Sequence, residues 1–217
     1  MATSFYPKEN IKHFAKIKDL APEQLQAYNA FGKAAMQDGV LSRKEKEIIA
    51  VAIAHVTECP YCIDAHTKGA KKAGASLEEL TEAVFVVAAV EAGGAVTHST
   101  HVRNAKNQEA SDTLYTRSNL KHLGQLGKFA PDGFKAYAAF SATATKEGIL
   151  NSKFKEIIAV AVANATQCPY CIDVHSKNAV KLGATSEELA EAILVTAALR
   201  AGGAYAHLAN LIQSYEE

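Results

Sequence analysis

The 217-residue chain is an internal duplication. A shift of 109 positions aligns its two halves without a gap, so that Cys59 falls on Cys168. Between positions 44 and 98, 35 of the 55 residues are identical in the second copy. Two copies are too few for a solenoid. We therefore expect two similar domains packed together, residues 1–109 and 110–217.

The pattern within each copy predicts helices. Segment 42–58 opens with Ser42 three residues before Glu45, which is the capping-box spacing, and continues as an apolar run. Segment 21–39 has apolar residues at helical spacing, and segment 76–94 ends at a glycine pair that we expect to stop its helix. The short run "IIAVAIAHV" is also compatible with a buried strand, but its length and the capping box favour a helix. The predicted fold class is all-α, a tandem duplication of one helical core.

Composition narrows the classes of partner. The formal net charge is zero, so no excess of Lys and Arg favours binding to nucleic acid or to an anionic membrane. The N-terminus lacks a signal-like apolar stretch, and no uninterrupted apolar run reaches about 18 residues. All four cysteines lie in two C-x-x-C pairs, which suits a reducing compartment. We expect a cytoplasmic location, no membrane span, and a polar joint between the copies at 103–113.

The repeated unit C-P-Y-C-I-D-x-H carries the chemistry. Pro60 is compatible with a first helical turn, so a helix beginning near Cys59 places Cys62 and His66 four residues apart on one face. An imidazole there takes the thiol proton or stabilises the thiolate, and the helix dipole also favours the thiolate. The second copy repeats the unit with Cys168, Cys171 and His175.

Other uses of these cysteines remain open at this point. Each copy supplies only three ligands, whereas a closed structural zinc site needs four, so redox chemistry is favoured and no metal or cofactor is predicted. A redox-sensing module without enzymatic activity is a further alternative. C-P-Y-C is also the glutaredoxin motif, but that fold requires a strand before it, and the flanking segments here predict helices.

Glu47 and Glu156 each lie twelve residues before the first cysteine of their copy. Spacing alone leaves two interpretations equally balanced, an acid at a helix start and a functional carboxylate. His98 and His207, which follow the glycine pairs, are interpreted as packing or polar-contact residues.

The pattern Glu, twelve positions, C-x-x-C, three positions, His resembles that of the AhpD-like alkylhydroperoxidases of the carboxymuconolactone decarboxylase superfamily. Both copies carry it, so the resemblance covers most of the chain. It implies an all-helical fold, homo-oligomers, and reduction of peroxides by a cysteine pair without haem or metal. The true decarboxylases lack C-x-x-C, which disfavours lactone decarboxylation. A duplicated chain is expected to form a trimer, because single-copy members commonly form hexamers.

The resemblance also assigns roles. In that family the second cysteine attacks the peroxide, the first resolves the product as a disulfide, and a Glu and a His relay protons. The corresponding attacking, resolving, histidine and glutamate positions are Cys62, Cys59, His66 and Glu47 in the first copy and Cys171, Cys168, His175 and Glu156 in the second. The best-studied members have a histidine where this chain has Tyr61 and Tyr170. We therefore expect a thiol-dependent peroxidase or disulfide reductase that uses a hydroperoxide and a thiol or dithiol reductant.

Overall fold

The computed structural model describes residues 6–106 and 115–216, and it is helical in both ranges with no strand. This confirms the all-α prediction. Two short 3-10 helices, Lys8–His13 and Arg117–His122, precede the first α-helix of each copy. The α-helices are α1 (Phe14–Leu20), α2 (Pro22–Met36), α3 (Arg43–Val56), α4 (Pro60–Lys72), α5 (Leu77–Lys106), α6 (Leu123–Phe129), α7 (Pro131–Thr145), α8 (Ser152–Ala165), α9 (Pro169–Lys181), α10 (Ser186–Ala206) and α11 (Leu208–Glu216).

Helices α3 and α8 form the centre of the molecule. The predicted capping box opens α3, because the Glu45 N–H donates to Ser42 Oγ and the Ser42 N–H donates to the Glu45 carboxylate at 2.8 Å. All residues from Lys46 to Ala54 are buried. Burial on all sides explains why the residues after Glu47 form a continuous apolar run. Helix α8 is buried in the same way and packs against α3, so one apolar cluster contains residues of both copies.

The long helix of each copy crosses onto the other copy. Helix α5 packs against α7, α8 and α9 as well as its own α3, and α10 packs against α2, α3 and α4 as well as α8. The described helices of the two copies therefore share one core. Residues 107–114, including the boundary between 109 and 110, lie outside the described ranges, so the domain limits and most of the polar joint stay a prediction.

Two equivalent ion pairs stabilise the packing of α5 and α10 against the opposite copy. Glu82 on α5 pairs with the buried Lys155 at 2.9 Å and accepts the backbone N–H of Leu150 at 2.9 Å. Glu191 on α10 pairs with the buried Lys46 at 3.0 Å and accepts the backbone N–H groups of Val40 and Leu41, just before α3. Each buried ammonium is thus neutralised by a carboxylate from the opposite copy, as a charge at this depth requires.

The prediction that the glycine pair 93–94 stops its helix is wrong, because α5 continues to Lys106. A Cβ atom on Gly93 would lie 2.9 Å from the hydroxyl of Tyr137, and one on Gly202 would lie 3.4 Å from that of Tyr28. Gly93 therefore makes room for a tyrosine of the other copy, whereas a Cβ atom at position 202 would make only an ordinary contact. Packing of the apolar helix outweighs the roughly 1 kcal/mol that a mid-helix glycine costs.

Two segments are long and apolar enough to span a membrane by length and composition, Leu77–Val102 and Ser186–Glu216. The first lies within α5, and the second spans α10 and α11. Both α5 and α10 pack against the central helices. Core helices of this length meet the same test, so it is weak evidence for a membrane span.

Candidate redox site

Each C-x-x-C pair opens a helix, as predicted. Cys59 is the N-cap of α4, and its sulfur accepts the backbone N–H of Cys62 at 3.3 Å. Cys168 caps α9 in the same way, with the N–H of Cys171 at 3.3 Å. A proline follows each capping cysteine at the start of its helix, where its missing N–H removes no intrahelical hydrogen bond. A sulfur at this position receives a hydrogen bond that favours the thiolate.

A strained residue precedes each pair. Glu58 and Gln167 have φ values of 53° and 58°, in the left-handed region that non-glycine residues rarely adopt. Such a residue costs about 1–2 kcal/mol. The same left-handed residue occurs at equivalent positions of both copies, in the tight turn after which the cysteine helix packs against the preceding core helix.

The two glutamates contact the histidines of their own copy. Glu47 Oε2 lies 2.8 Å from His66 Nδ1, and Glu156 Oε2 lies 2.8 Å from His175 Nδ1. A carboxylate can only accept, so Nδ1 carries the hydrogen in each ring. The other ring nitrogen, Nε2, is then free to take up or release a proton. The structure thus brings each Glu–His pair together beside its cysteine helix.

The first copy surrounds its glutamate with charge. Arg43 donates to Glu47 Oε1, and the absence of a side chain at Gly69 leaves room for the carboxylate, since a Cβ there would lie 2.7 Å from Oε2. Burial alone would raise the pKa of Glu47, but the hydrogen bonds and charges of His66 and Arg43 outweigh burial and hold this pKa below its ordinary value. Glu47 is therefore an anion at neutral pH.

The second copy replaces this cation with an amide. The positions equivalent to Arg43 and Gly69 are Ser152 and Asn178. Asn178 Nδ2 donates to Glu156 Oε1 at 3.3 Å, so the glutamate receives a neutral hydrogen bond where its counterpart receives a charged one. The two Glu–His pairs have the same geometry but different electrostatic surroundings.

The cysteine pairs are in different states. Cys59 and Cys62 are joined as a disulfide, whereas Cys168 and Cys171 are free and buried. The thiol and the backbone N–H of Cys171 donate to Cys168, and with a hydrogen bond from Thr97 they lower the pKa of Cys168 to about 5 against the effect of burial. The hydrogen bond to Cys168 and burial both raise the pKa of Cys171. Within the second pair, the negative charge is therefore favoured on Cys168 over Cys171.

An open cavity of about 560 Å³ reaches the first pair. Cys62 and His66 line it, while Cys59 is fully buried and does not. The opposite wall is formed by α10 of the second copy, including Tyr205, which stacks on Tyr28 with ring centroids 4.4 Å apart. The cavity is thus built from both halves of the chain.

The second pair is likewise completed by the first copy. Thr97 Oγ1 on α5 lies 3.8 Å from Cys168 Sγ, and the ring of His98 packs edge-on against Tyr170. Two imidazole nitrogens here, Nε2 of His98 and of His101, are buried without a hydrogen-bond partner. The interpretation of His98 as a packing residue agrees with these contacts. The contribution of Thr97 was missed, because sequence does not reveal which helices cross.

Tyrosine occupies the position at which the resembling family has a histidine. The Tyr61 hydroxyl donates to the Pro7 carbonyl at 3.4 Å, and the Tyr170 hydroxyl accepts from Asn119 Nδ2 at 2.6 Å. Both rings are buried and anchor the segment before the first α-helix of their copy. In the 6–106 and 115–216 ranges, no group of three or more His, Cys, Asp or Glu side chains is placed to hold a metal ion.

Comparison with known proteins identifies the family of this chain. The model of the carboxymuconolactone decarboxylase family matches residues 22–105 and again 131–214. The chain belongs to the carboxymuconolactone decarboxylase family. The double match confirms the tandem arrangement of the family unit that the repeat predicted.

The family relatives include proteins shorter than this chain. Uncharacterized protein 4 in the cox locus of Paracoccus denitrificans is 47% identical over 73 residues, which cover 34% of this chain and 66% of the relative, just under two thirds. An uncharacterized protein of Haemophilus influenzae is 41% identical over 101 residues, which cover 46% of this chain and 89% of that protein. The Haemophilus protein is therefore close in length to one copy.

A solved structure shares the fold over nearly the whole chain. It is described as a gamma-carboxymuconolactone decarboxylase subunit from Burkholderia xenovorans LB400. It superposes with a TM-score of 0.68 at 22% identity and covers 94% of this chain and 90% of its own. At this identity the similarity shows the fold alone.

Proposed function

We propose that the protein is a thiol-dependent peroxidase, or a closely related disulfide reductase, that acts on hydroperoxides at its C-x-x-C pairs. The observation that carries the proposal is the wall of one cavity, which Cys62 and His66 line together. Glu47 holds Nδ1 of that histidine at 2.8 Å. A reactive sulfur, a proton-carrying imidazole and space for a substrate therefore meet at one place. Membership of the carboxymuconolactone decarboxylase family supports an enzyme of this kind.

The proposed reaction proceeds in three balanced steps. The Cys62 thiolate attacks the terminal peroxide oxygen, the O–O bond breaks, and the leaving alkoxide takes a proton from Nε2 of protonated His66. The products are an alcohol and a sulfenic acid on Cys62. The Cys59 thiol attacks that sulfenic sulfur, water leaves, and a disulfide forms. An external dithiol then reduces the disulfide by exchange and is itself oxidised.

The Glu–His pair has a defined part in this scheme. Because Glu47 is held as an anion, it stabilises the imidazolium that His66 becomes when it accepts the thiol proton. The hydrogen bond also orients the ring, so that the same nitrogen receives the thiol proton and later returns it to the alkoxide. Glu156 and His175 supply the same arrangement in the second copy.

Exposure to the cavity and the pKa of the thiol distinguish the attacking cysteine from the resolving cysteine of a pair. Cys62 faces the cavity and Cys59 does not, which favours the second cysteine as the attacking sulfur. In the second copy the low pKa belongs to Cys168. Cys168 is then a resolving thiolate, and Cys171 needs a base to ionise it; His175, four residues later on α9, is suitably placed. These roles agree with those that the family resemblance implies, but they require His175 to take the proton from Cys171.

Peroxide consumption by the reduced protein tests the proposal. With dithiothreitol or glutathione as reductant, we expect catalytic loss of cumene hydroperoxide and, in the absence of reductant, disulfides Cys59–Cys62 and Cys168–Cys171 by mass spectrometry. Oxidation to these disulfides without turnover under any reductant would instead favour a redox sensor. Purified protein with about one zinc per copy and thiols protected from alkylation would favour a zinc module. Either outcome would overturn the peroxidase proposal.

We also propose a homo-oligomer, with a trimer favoured, in the cytoplasm. An apolar groove on the first copy supports association: Leu77 and Phe85 line it and are 75% and 55% exposed. Light scattering at micromolar concentration should give about three times the 23.1 kDa chain mass. A monomer at that concentration would remove the oligomer proposal.

A further inference from the structure

The cavity beside Cys62 is apolar over most of its wall but also has basic side chains in it. Phe14, Tyr28 and Tyr205 supply aromatic surface, with the Phe14 and Tyr205 ring centroids 5.1 Å apart. Lys33 and Arg43 line the same cavity. His66 is a third basic side chain in the wall. No Asp or Glu lines the cavity, but Glu47, just behind it, contacts both Arg43 and His66. Within the described ranges, Lys33 is therefore the cation without a carboxylate partner.

The basic groups have capacity for a ligand. Arg43 uses one donor on the Met36 carbonyl and another on Glu47, which leaves further N–H groups of its five. Lys33 forms no ion pair with a carboxylate in the described part of the chain. Burial raises the pKa of both Tyr28 and Tyr205, so neither ring contributes a competing anion at neutral pH.

The second copy forms the equivalent helices without these two cations. The positions equivalent to Lys33 and Arg43 in the second copy are Ala142 and Ser152, yet α7 and α8 adopt the same lengths as α2 and α3. Tyr205 likewise has Val96 as its counterpart. The second copy thus forms the same helices without the basic side chains and the tyrosine that line this cavity in the first.

We propose that the first copy selects an apolar hydroperoxide that carries a carboxylate, with its peroxide at Cys62 and its carboxylate at Lys33 and Arg43. The assignment rests on the proposed peroxidase function and names its substrate class. The aromatic wall binds the apolar body, and the cations bind the anionic end, as Arg and Lys bind carboxylates elsewhere. The second copy lacks both cations and does not share this preference.

An unreactive pair of ligands tests the cavity independently of catalysis. Calorimetry would compare 4-isopropylbenzoate with the neutral 4-isopropylbenzamide on the whole chain. We expect about tenfold tighter binding of the carboxylate, and a loss of about threefold in that ratio in Lys33→Ala. Because the attraction is electrostatic, the ratio should also fall in 0.5 M salt. Lys33→Arg should retain it, and Lys18→Ala, the same charge change at an exposed position that does not line the cavity, should leave it unchanged.

Turnover separates this inference from the function on which it rests. In a chain with Cys168→Ser and Cys171→Ser, kcat/KM would be compared for cumene hydroperoxide and its 4-carboxy derivative, and we expect a preference of about tenfold for the acid. Carboxylate-selective binding without turnover of either peroxide would remove the peroxidase proposal and with it this substrate. Turnover without preference, or an equal effect of Lys33→Ala and Lys18→Ala on the binding ratio, would overturn the carboxylate site alone.

Discussion

The two candidate sites of this chain share the groups proposed to react and differ in what surrounds those groups. Both have a cysteine N-cap, a second cysteine in the first turn, and a Glu–His pair at 2.8 Å. The first surrounds its glutamate with Arg43, and the second with Asn178. The sulfur of Cys168 faces Thr97, whereas Ala206 takes that position for the first copy. The two copies have therefore kept the same arrangement of these side chains and differ in the charges around it.

Removal of the second cysteine should have the largest effect. With Cys62→Ser and Cys171→Ser together, we expect peroxide consumption to fall to the uncatalysed rate, because no attacking sulfur remains. Each single variant should keep the rate of the other centre, so the two single rates should add to that of the wild type. A sulfenate probe that labels Cys59 or Cys168 in the wild type would reverse the assignment of attacking and resolving sulfurs.

Loss of the carboxylates should have the next largest effect. We expect Glu47→Gln with Glu156→Gln to fold with four thiols and to lose about 10²-fold or more in peroxidase rate, since general acid–base participation typically contributes that much. Stopped-flow oxidation of the reduced protein measures it. Glu45→Gln, in the same helix turn but in the capping box, serves as the control and should affect stability more than rate. If the double variant reacts at the wild-type rate across neutral pH, both glutamates act only as acidic residues at the start of a helix.

Removal of the Thr97 hydroxyl should shift the pKa of Cys168. The pKa of Cys168 near 5 predicts that thiolate absorbance at 240 nm in a chain with Cys59→Ser and Cys62→Ser is half-developed near pH 5 and complete by pH 7. Thr97→Ala removes a donor to the thiolate, which disfavours the charged form, so the pKa should rise, by less than about one unit at this contact distance. An unchanged titration would show that the hydroxyl does not act on the sulfur.

The smallest expected effect concerns the strained turn. Glu58→Gly and Gln167→Gly each relieve a left-handed residue but add backbone entropy to the unfolded chain, so the free energy of unfolding should rise by up to about 1 kcal/mol. Urea denaturation measures the change, and equal gains at both positions would confirm that the turn is equivalent in the two copies. A loss of stability at either position would mean that the side chain there contributes more than its strain costs.

Local sequence signals predicted local structure well. The capping box at Ser42, the helix start at Cys59 and the all-helical class follow from short-range patterns, and the structure has each of them. The glycine pair led to a wrong prediction, because the sequence does not distinguish a glycine that ends a helix from one that makes room for a neighbouring ring. Only the approach of Tyr137 distinguishes them.

Residue spacing could not predict the parts of each site that the other copy contributes. Thr97 and Tyr205 lie on helices that cross to the opposite copy, and no periodicity predicts which partner a long apolar helix will choose. A comparison of the halves did contain one usable signal: Arg43 and Lys33 become uncharged in the second copy. That difference gains meaning only when both side chains are found to line the cavity beside a cysteine.

The crossing of α5 and α10 also bears on how such a chain can change over generations. In an assembly of identical subunits with this geometry, one substitution on the crossing helix would appear at every site, so a change that benefits one site is imposed on all. Here the helix that completes each centre is encoded separately. Thr97 can be altered without Ala206, and Tyr205 without Val96. Covalent duplication has given one polypeptide the freedom of a heterodimer, in which one centre can acquire a new substrate while the other retains the old one.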